Sequence, residues 1–257
     1  MALNHHPKKR FGQNFLHDPA IIDRIVAALD PRPGERLVEI GPGRGALTAP
    51  VLARTGALTA IELDRDLAVE LAARFQDDGL CLIGADALRF DFSALVTAGE
   101  RLRVFGNLPY NISSPLLFHL LTHRRAIADM LFMLQREVVD RIVATPGDAD
   151  YGRLSVMIQY ACAAEALFVV SPGAFFPPPK VHSRMLQLTP HATPPFPAAD
   201  EKRLADLVQR AFAQRRKTLR NSIGTVVTAA QFAAADIDPG LRPERLSVAD
   251  FVRLANS

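Results

Sequence analysis

A strand, a glycine-rich turn and a helix follow one another in residues 37–48. An apolar run leads into three glycines at alternate positions, Gly41, Gly43 and Gly45, and a helical pattern comes directly after them. Glycines in such a turn let the main chain take left-handed conformations and approach a ligand closely. This order of strand, glycine-rich turn and helix predicts an α/β fold with a ligand site at the carboxyl ends of its parallel strands.

Apolar runs alternate with helical patterns on both sides of this turn. A first helix is expected at 19–29, with Asp18 as its N-cap. The predicted strands are residues 36–40, 58–63, 80–83, 103–106 and 130–134. The predicted helices between them are residues 45–55, 65–75, 115–124 and 137–144. Strands that alternate with helices predict a parallel sheet covered on both faces.

A proline-rich stretch at 189–197 divides the chain. After it, residues 201–214 carry apolar side chains at the 3.6-residue spacing of a helix, and no strand is evident beyond it. We therefore expect an α/β domain at 1–190, a linker at 191–199 and a small all-helical domain at 200–257.

The net charge of +3 lies entirely in the tail. Residues 198–257 hold ten basic and seven acidic side chains, and five of the basic ones fall within 209–220 without an acid among them. A second basic cluster, Lys8, Lys9 and Arg10, stands near the start. Such clusters suit a nucleic-acid backbone, although a solvated surface would show the same pattern.

Composition excludes several classes of protein. Hydrophobic residues make up 49% of the 257 residues, as in a globular chain. No apolar run approaches the roughly 18 residues of a membrane span, and the basic start lacks the apolar core of a secretory signal. Cys81 and Cys162 are expected to be buried thiols, and the histidines form no metal site with them. We expect a cytoplasmic monomer without a metal.

Three acidic residues indicate which cofactor the glycine turn serves. Glu62 ends the strand after the turn, where a carboxylate can accept hydrogen bonds from ribose hydroxyls. Glu39 places a negative charge beside the turn, which disfavours a pyrophosphate and favours a cation. Asp86 ends the third strand and can accept a hydrogen bond from an adenine amino group. Taken singly, Glu62 and Asp86 could be helix caps, but together they predict S-adenosylmethionine, which carries a sulfonium and no phosphate.

The sequence Asn-Leu-Pro-Tyr at 107–110 follows the fourth strand. The amino group of adenine is a poor nucleophile because its lone pair is delocalised into the ring. The Asn107 side-chain oxygen and a main-chain carbonyl near Leu108 and Pro109 can accept its two N–H bonds and favour a pyramidal nitrogen. Tyr110 can stack on an unpaired or flipped base. The motif predicts methyl transfer to an adenine amine.

Through these motifs, the chain resembles the bacterial small-subunit ribosomal RNA adenine dimethyltransferases over nearly its whole length. The stretches that carry the resemblance are residues 9–16, 39–45, 61–64, 84–86, 107–113, 151–156, 177–181 and 214–222. The resemblance implies a Rossmann-like S-adenosylmethionine-dependent methyltransferase domain with a small C-terminal helical domain. It implies dimethylation of two adjacent adenosines in a hairpin loop near the 3′ end of small-subunit rRNA, within a maturing subunit.

The resemblance also implies roles for individual residues. The expected cofactor contacts are Asn14, Leu16, Gly41, Gly43, Glu62, Asp86 and Asn107. The target base is expected against Asn107, Leu108, Pro109 and Tyr110, with Phe175 or Phe176 as a second stacking face. The expected RNA contacts are Lys8, Lys9, Arg10, Phe175, Arg215, Arg216, Lys217 and Arg220. One residue departs from the family pattern: His182 stands before Ser183, where an Asp is expected.

Three rival functions remain open on the sequence. A large-subunit rRNA adenine methyltransferase shares the glycine turn and the tetrapeptide, but the tail motif at 214–222 matches the small-subunit group. A non-catalytic RNA-binding assembly factor would need neither Glu62 nor Asn107. A nicotinamide dehydrogenase is disfavoured by Glu39 and by the spacing of the glycines.

Overall fold

The computed structural model of the chain describes residues 13–214 and 216–257. They divide into two compact units. The first unit holds the described residues up to Val139 together with Glu165–Pro190, and the second holds Asp140–Ala164 and His191–Ser257. Residues 140–164 thus group with the tail, which the sequence had not suggested. The domain boundaries at 190 and 200 stay a prediction.

The strands and helices lie close to the predicted positions from residue 19 to residue 143. The strands are β1 Phe15–Leu16, β2 Arg36–Ile40, β3 Leu58–Glu62, β4 Leu80–Gly84, β5 Leu102–Asn107, β6 Ile127–Gln135, β7 Cys162–Val170, β8 Phe175–Phe176 and β9 Ser183–Pro190. The helices are α1 Pro19–Leu29, α2 Thr48–Thr55, α3 Arg65–Arg74, α4 Ser113–Thr122, α5 Arg136–Val143, α6 Arg153–Ala161, α7 Glu201–Ala213, α8 Leu219–Ile223, α9 Ala229–Ala234 and α10 Val248–Asn256.

Seven strands form one sheet in the order β4-β3-β2-β5-β6-β9-β7. Strands β2 to β6 pair in parallel, as predicted. Strand β9, which was not predicted, pairs antiparallel with β6, so that Ser183 faces Gln135 in the register. The sheet is therefore mixed. Because β9 runs the other way, its first residue lies at the edge where the parallel strands end.

Strands β2 and β5 approach each other more closely than most side chains permit. A Cβ atom on Gly106 would lie 2.3 Å from the main-chain oxygen of Ile40, well inside van der Waals contact. Glycine is therefore required in the middle of the sheet, immediately before the tetrapeptide. The core around these strands is completed by buried side chains of α1, among them Ile25 and Leu29.

One arginine fastens the amino-terminal edge of the sheet. The Arg103 guanidinium contacts Asp129 on β6 at 2.9 Å and Glu35 before β2 at 2.8 Å. It also donates to the carbonyl of Leu29 at the end of α1, at 2.7 Å. With this arrangement, α1 and the starts of three strands share a single charged anchor at the edge opposite the carboxyl ends of the parallel strands.

A small ribbon and an edge strand complete the first unit. β1 and β8 pair antiparallel, with Leu16 opposite Phe175 and Phe15 opposite Phe176. β4 is an edge strand, and Cys81 on it is exposed, so the prediction that this thiol is buried was wrong. Cys162 is buried, as expected.

The second unit is built mainly from helices. Helices α6 and α10 pack on α7, and the rings of Tyr151, Phe212 and Phe251 stack edge to face or tilted in its core. None of the helices that the structure describes has the length and apolarity needed to cross a membrane.

Candidate active site

A cavity of about 330 Å³ opens at the carboxyl ends of β2, β3 and β5. Its lining includes all the predicted cofactor contacts and the tetrapeptide, but neither Phe175 nor Phe176; the predicted residues that it contains are Asn14, Leu16, Gly41, Gly43, Glu62, Asp86, Asn107, Leu108, Pro109 and Tyr110. The parallel strands bring most of these distant residues together because they lie at or after strand ends on one edge of the sheet, whereas Asn14 and Leu16 come from the segment of β1.

Three buried carboxyl groups lie on one side of the site, and we call them the carboxylate wall: Glu39 and Glu62 line the cavity, whereas Asp64 bonds to Glu62 without lining it. Glu39, Glu62 and Asp64 are 2%, 7% and 2% exposed. The Thr48 hydroxyl donates to Glu39 at 2.6 Å. Glu62 accepts from the main-chain N–H groups of Gly43 and Asp64, at 3.3 and 2.8 Å. The wall thus concentrates carboxyl groups in a place that water barely reaches.

Burial sets the protonation of this wall. It raises the pKa of Glu39 to about 8, and the nearby Glu62 adds to the rise while the Thr48 hydrogen bond opposes it. Burial also raises the pKa of Glu62, against the effect of its main-chain hydrogen bonds. Carboxyl groups that share a dry pocket resist joint ionisation. A positively charged ligand in the cavity would reduce this cost of ionisation. S-adenosylmethionine carries such a charge on its sulfonium.

The glycine turn closes over the carboxylate wall. Gly43 has a φ of +58°, a conformation that glycine takes most readily, and its N–H points to Glu62. A Cβ atom there would lie 3.2 Å from the Phe15 ring of β1. Glu62 is not a helix cap: Asp64 holds that position on α3.

Asp86 has a more local role than expected. Its Oδ1 accepts from the N–H of Leu88 at 3.0 Å and so caps the turn after β4, while the residue also lines the cavity. The exposed side chain of Leu63 lies between Glu62 and Asp64 and adds an apolar surface to the same lining. Hydroxyl acceptors, an apolar surface and buried negative charge fit an adenosyl sulfonium.

The tetrapeptide forms the opposite side of the cavity, which we call the acceptor wall. The Asn107 Nδ2 donates to the main-chain carbonyl of Asn14 at 3.1 Å. This bond fixes the amide so that Oδ1, which accepts nothing from the described residues, is left for a ligand. The N-terminal segment therefore orients the group that was predicted to polarise the amine.

Hydrogen bonds also select one main-chain carbonyl of the tetrapeptide. The Pro109 carbonyl accepts from the N–H of Ile112 at 3.2 Å and from the Ser113 hydroxyl at 3.1 Å. Leu108 donates its own N–H to the Met133 carbonyl at 3.2 Å, and its carbonyl accepts no bond within the part of the chain that the structure describes. Of the two carbonyls considered from the sequence, that of Leu108 is the one available.

The aromatic residues differ in exposure. Tyr110 is half-buried, and its hydroxyl shares a 2.8 Å hydrogen bond with Ser183. Phe175 is 2% exposed and packs in the core, whereas the neighbouring Phe176 is 61% exposed. Of the two phenylalanines considered as a second stacking face, Phe176 presents its ring to solvent. The role of Phe175 in RNA binding stays a prediction, and its burial weighs against it.

Two polar contacts at the site were not predicted. Gln13 donates to Asp64 at 3.0 Å, which ties the N-terminal segment to the carboxylate wall as Asn14 ties it to the acceptor wall. Ser183 is fully buried beneath Tyr110. Its only signal in the sequence was its place at the end of the Pro-Lys-Val-His-Ser stretch. His182, the departure from the family pattern, is exposed beside it.

The basic residues predicted to bind RNA are only partly described. Arg216, Lys217 and Arg220 are exposed in the second unit, around the start of α8. Lys8, Lys9, Arg10 and Arg215 lie outside the described residues. No group of side chains with the makings of a metal site occurs within 13–214 and 216–257.

Comparison with known proteins assigns the family. Residues 4–257 match the ribosomal RNA adenine dimethylase family. The chain is 56% identical over 253 residues to "Ribosomal RNA small subunit methyltransferase A" of Pseudomonas aeruginosa, a match that covers 98% of this chain and 94% of that protein.

Solved structures agree with this assignment. A dimethyladenosine transferase from Plasmodium falciparum superposes with a TM-score of 0.77 at 25% identity, over 93% of this chain and 95% of that one. The 23S rRNA methyltransferase ErmE superposes with a TM-score of 0.71 at 26% identity, over 94% and 98%. The predicted Rossmann-like fold and S-adenosylmethionine-dependent methyltransferase activity are confirmed. The chain belongs to the ribosomal RNA adenine dimethylase family.

Proposed function

We propose that this protein transfers methyl groups from S-adenosylmethionine to the N6 amino groups of two adjacent adenosines in a hairpin loop near the 3′ end of small-subunit rRNA. The product is N6,N6-dimethyladenosine. The observation that carries the proposal is the acceptor wall, which combines an oriented Asn107 oxygen with a Leu108 carbonyl that accepts no hydrogen bond from the described residues, in one cavity with carboxyl groups of the carboxylate wall. The high identity to small-subunit enzymes supports the choice of RNA.

The acceptor wall makes the adenine amine a better nucleophile. Its Asn107 and Leu108 oxygens would accept the two N6 hydrogens and draw the nitrogen toward a pyramidal geometry, with its lone pair directed at the methyl carbon. Fixed acceptors need no reorganisation when positive charge develops on the nitrogen. Tyr110 would hold the base so that N6, the methyl carbon and the sulfur lie in line. Holding the reactants in this geometry lowers the activation barrier.

The bound cofactor supplies a methyl group activated by its sulfonium. A new N–C bond would form at N6 as the S–C bond of the cofactor breaks to leave a neutral thioether, and the methylated N6 would release one proton to solvent. The Asn107 and Leu108 oxygens would orient the N–H bonds as hydrogen-bond acceptors and would not themselves take up the proton. The second transfer repeats these steps on the monomethylated amine, which has one N–H left.

The substrate and the setting complete the proposal. We place the RNA within a maturing small ribosomal subunit in the cytoplasm, met by a monomeric enzyme. The exposed cations Arg216, Lys217 and Arg220 would bind phosphates, together with Arg215 and the cluster at 8–10. Binding of this kind depends on salt because each phosphate contact releases counterions.

A methyl-transfer assay tests the proposal directly. Labelled S-adenosylmethionine is incubated with under-methylated small subunits and, separately, with large subunits, and the nucleosides of the RNA are then analysed. We expect N6,N6-dimethyladenosine in small-subunit RNA alone. Tight binding without incorporation would overturn the proposed activity and favour an assembly factor.

The same assay decides the competing substrate. The likeness to the 23S enzyme is at 26% identity and extends over nearly the whole of both chains. Incorporation into the large subunit would therefore support that alternative and contradict the small-subunit assignment.

A charge-removal variant tests the RNA contacts. Replacing Arg215, Arg216, Lys217 and Arg220 together with Gln should weaken binding to small subunits. The slope of log affinity against log salt concentration should fall by about 1 for each phosphate that the variant no longer neutralises. Cofactor affinity serves as the control and should not change. An unaltered salt slope would show that these cations do not touch RNA.

A further inference from the structure

We propose that Ser183 is a positioning residue for base stacking: its hydroxyl holds the ring of Tyr110 in the orientation that receives the target adenine. The inference rests on the proposed function, because it deepens the role of the Tyr110 ring. Ser183 itself would touch neither the base nor the cofactor.

The sheet topology brings the two residues together. Tyr110 follows the end of β5, and Ser183 begins β9, 73 positions later in the chain. Because β9 is antiparallel to β6, its first residue pairs with Gln135, the last residue of β6, at the edge where β5 also ends. The His182 carbonyl accepts from the N–H of Arg136 at 2.9 Å, which fastens the start of β9 on its other side.

The tetrapeptide is attached twice to this pair of strands. The Leu108 N–H donates to the Met133 carbonyl on β6 at 3.2 Å. The Tyr110 hydroxyl meets the Ser183 hydroxyl on β9 at 2.8 Å. The first bond positions the main chain that carries the amine acceptor, and the second positions the ring, so both act on the same flipped base.

Burial makes the hydrogen bond between the two hydroxyls favour one orientation of the Tyr110 ring. Ser183 is fully buried, and Tyr110 is the one hydrogen-bond partner of its hydroxyl among the described residues. Burial raises the pKa of the Tyr110 phenol, so it stays protonated and can donate. A buried hydroxyl that loses its partner carries a desolvation cost, and this cost penalises any rotation of the ring that breaks the bond.

A packing role alone does not explain the pair. For packing alone, alanine would fill the buried position of Ser183 as well as serine does. For stacking alone, phenylalanine would serve as well as Tyr110, because the ring needs no hydroxyl to stack. The neighbouring β9 side chains Met185, Leu186 and Leu188 are apolar and buried. A buried hydroxyl at the start of this largely apolar strand, 2.8 Å from the hydroxyl of a cavity-lining tyrosine, points to control of ring orientation.

The test is a double-mutant cycle on methyl transfer. Ser183→Ala and Tyr110→Phe should each lower kcat about threefold to tenfold, the usual value of one hydrogen bond. The KM for small subunits and the Kd for S-adenosylmethionine should stay at wild-type values. If Ser183 acts through the Tyr110 hydroxyl, the double variant should be no slower than Tyr110→Phe. Independent effects that multiply in the double variant would overturn the proposal.

A spectroscopic measurement reports on the ring without requiring activity. The chain has three tyrosines, at 110, 151 and 160, so labelling with 3-fluorotyrosine gives three 19F signals, and Tyr110→Phe identifies one of them. We expect a single sharp Tyr110 signal that broadens or divides in Ser183→Ala. An unchanged Tyr110 signal would contradict the proposal even if the wild-type protein methylated no RNA, which separates this result from a failure of the proposed function.

Ser155 provides a matched control in the second unit. It is also a fully buried serine, and its hydroxyl bonds to the Arg141 carbonyl and the Gly152 N–H. Ser155→Ala should lower thermal stability without changing kcat or the Tyr110 signal. An equal loss of kcat in Ser155→Ala and Ser183→Ala would mean that both act only through stability, and would overturn the proposal.

Discussion

The two walls of the cavity have opposite electrostatic characters. The carboxylate wall packs Glu39, Glu62 and Asp64 into a region that water barely reaches. The acceptor wall offers only the neutral oxygens of Asn107 and Leu108. The difference follows from the two reactants: one wall must stabilise a cation that is present before the reaction, and the other must act on an amine that becomes positive only as the bond forms.

The walls also differ in how they are supported. The bonds within the carboxylate wall join residues 2, 9 and 19 positions apart. The acceptor wall depends on Asn14 and Ser183, which lie 93 and 73 positions from the residues that they hold. The carboxylate wall is thus held mainly by short-range bonds, apart from the Gln13–Asp64 bond that spans 51 positions, whereas the acceptor wall depends on more distant parts of the chain.

The largest effect should come from a change that strikes both walls together. Gly106 lies on β5, which leads to the acceptor wall, and it contacts β2, which leads to the carboxylate wall. Gly106→Ala places a Cβ atom 2.3 Å from the Ile40 carbonyl oxygen, and we expect a loss of about 2–4 kcal/mol in unfolding free energy. Denaturant titration measures it. Gly173→Ala, where no atom lies within 4 Å, is the control, and equal stability of the two variants would contradict this account.

Asn107→Ala should damage the acceptor wall alone. Because the amine loses an oriented acceptor in the transition state, kcat should fall about 10²- to 10³-fold, as when one preorganised hydrogen bond is removed elsewhere. Cofactor affinity, measured by calorimetry, should fall only moderately. Full turnover in the variant would show that the Asn107 oxygen does not act on the amine.

Glu62→Ala should damage the carboxylate wall alone. The ribose hydroxyls lose a charged acceptor, so the Kd for S-adenosylmethionine should rise about tenfold to a hundredfold, while kcat at saturating cofactor changes much less. Glu62→Gln keeps one acceptor oxygen and should lose less. The comparison between the walls fails if Glu62→Ala lowers kcat as strongly as Asn107→Ala does.

The smallest effect is a dependence on pH. Burial raises the pKa of Glu39 from 4.5 to about 8, so its contribution to stability is full below pH 4.5 and is lost as the pH rises to 8. The cationic cofactor favours the ionised form, and its affinity should therefore increase about threefold to tenfold between pH 7 and pH 8. Calorimetry at both values measures this, and Glu39→Gln should flatten the dependence. A steep dependence that persists in Glu39→Gln would assign the proton to another group.

The same contrast explains what the sequence could and could not predict. Strands β2 to β6 and the N-cap at Asp18 follow from apolar runs and capping chemistry within a few residues. Glu39 and Glu62 of the carboxylate wall were predictable because one stands beside the glycine turn and the other ends the next strand, whereas Asp64 was not predicted. Strand β7 carries the exposed Glu165 among apolar residues without regular alternation, and β9 runs into the proline-rich stretch, so neither pattern indicated a strand. The contacts of Ser183 and Gln13 join distant residues, and no local pattern encodes them.

The antiparallel course of β9 has a consequence for synthesis of the protein. Glu39, Glu62 and Asp64 leave the exit tunnel of the ribosome more than a hundred residues before Ser183. Domains generally fold as units, and β9 belongs to the same unit and the same sheet as the strands that carry these acids. We therefore expect a nascent chain to form neither wall stably until β9 has been synthesised, so that both sides of the cavity are completed together.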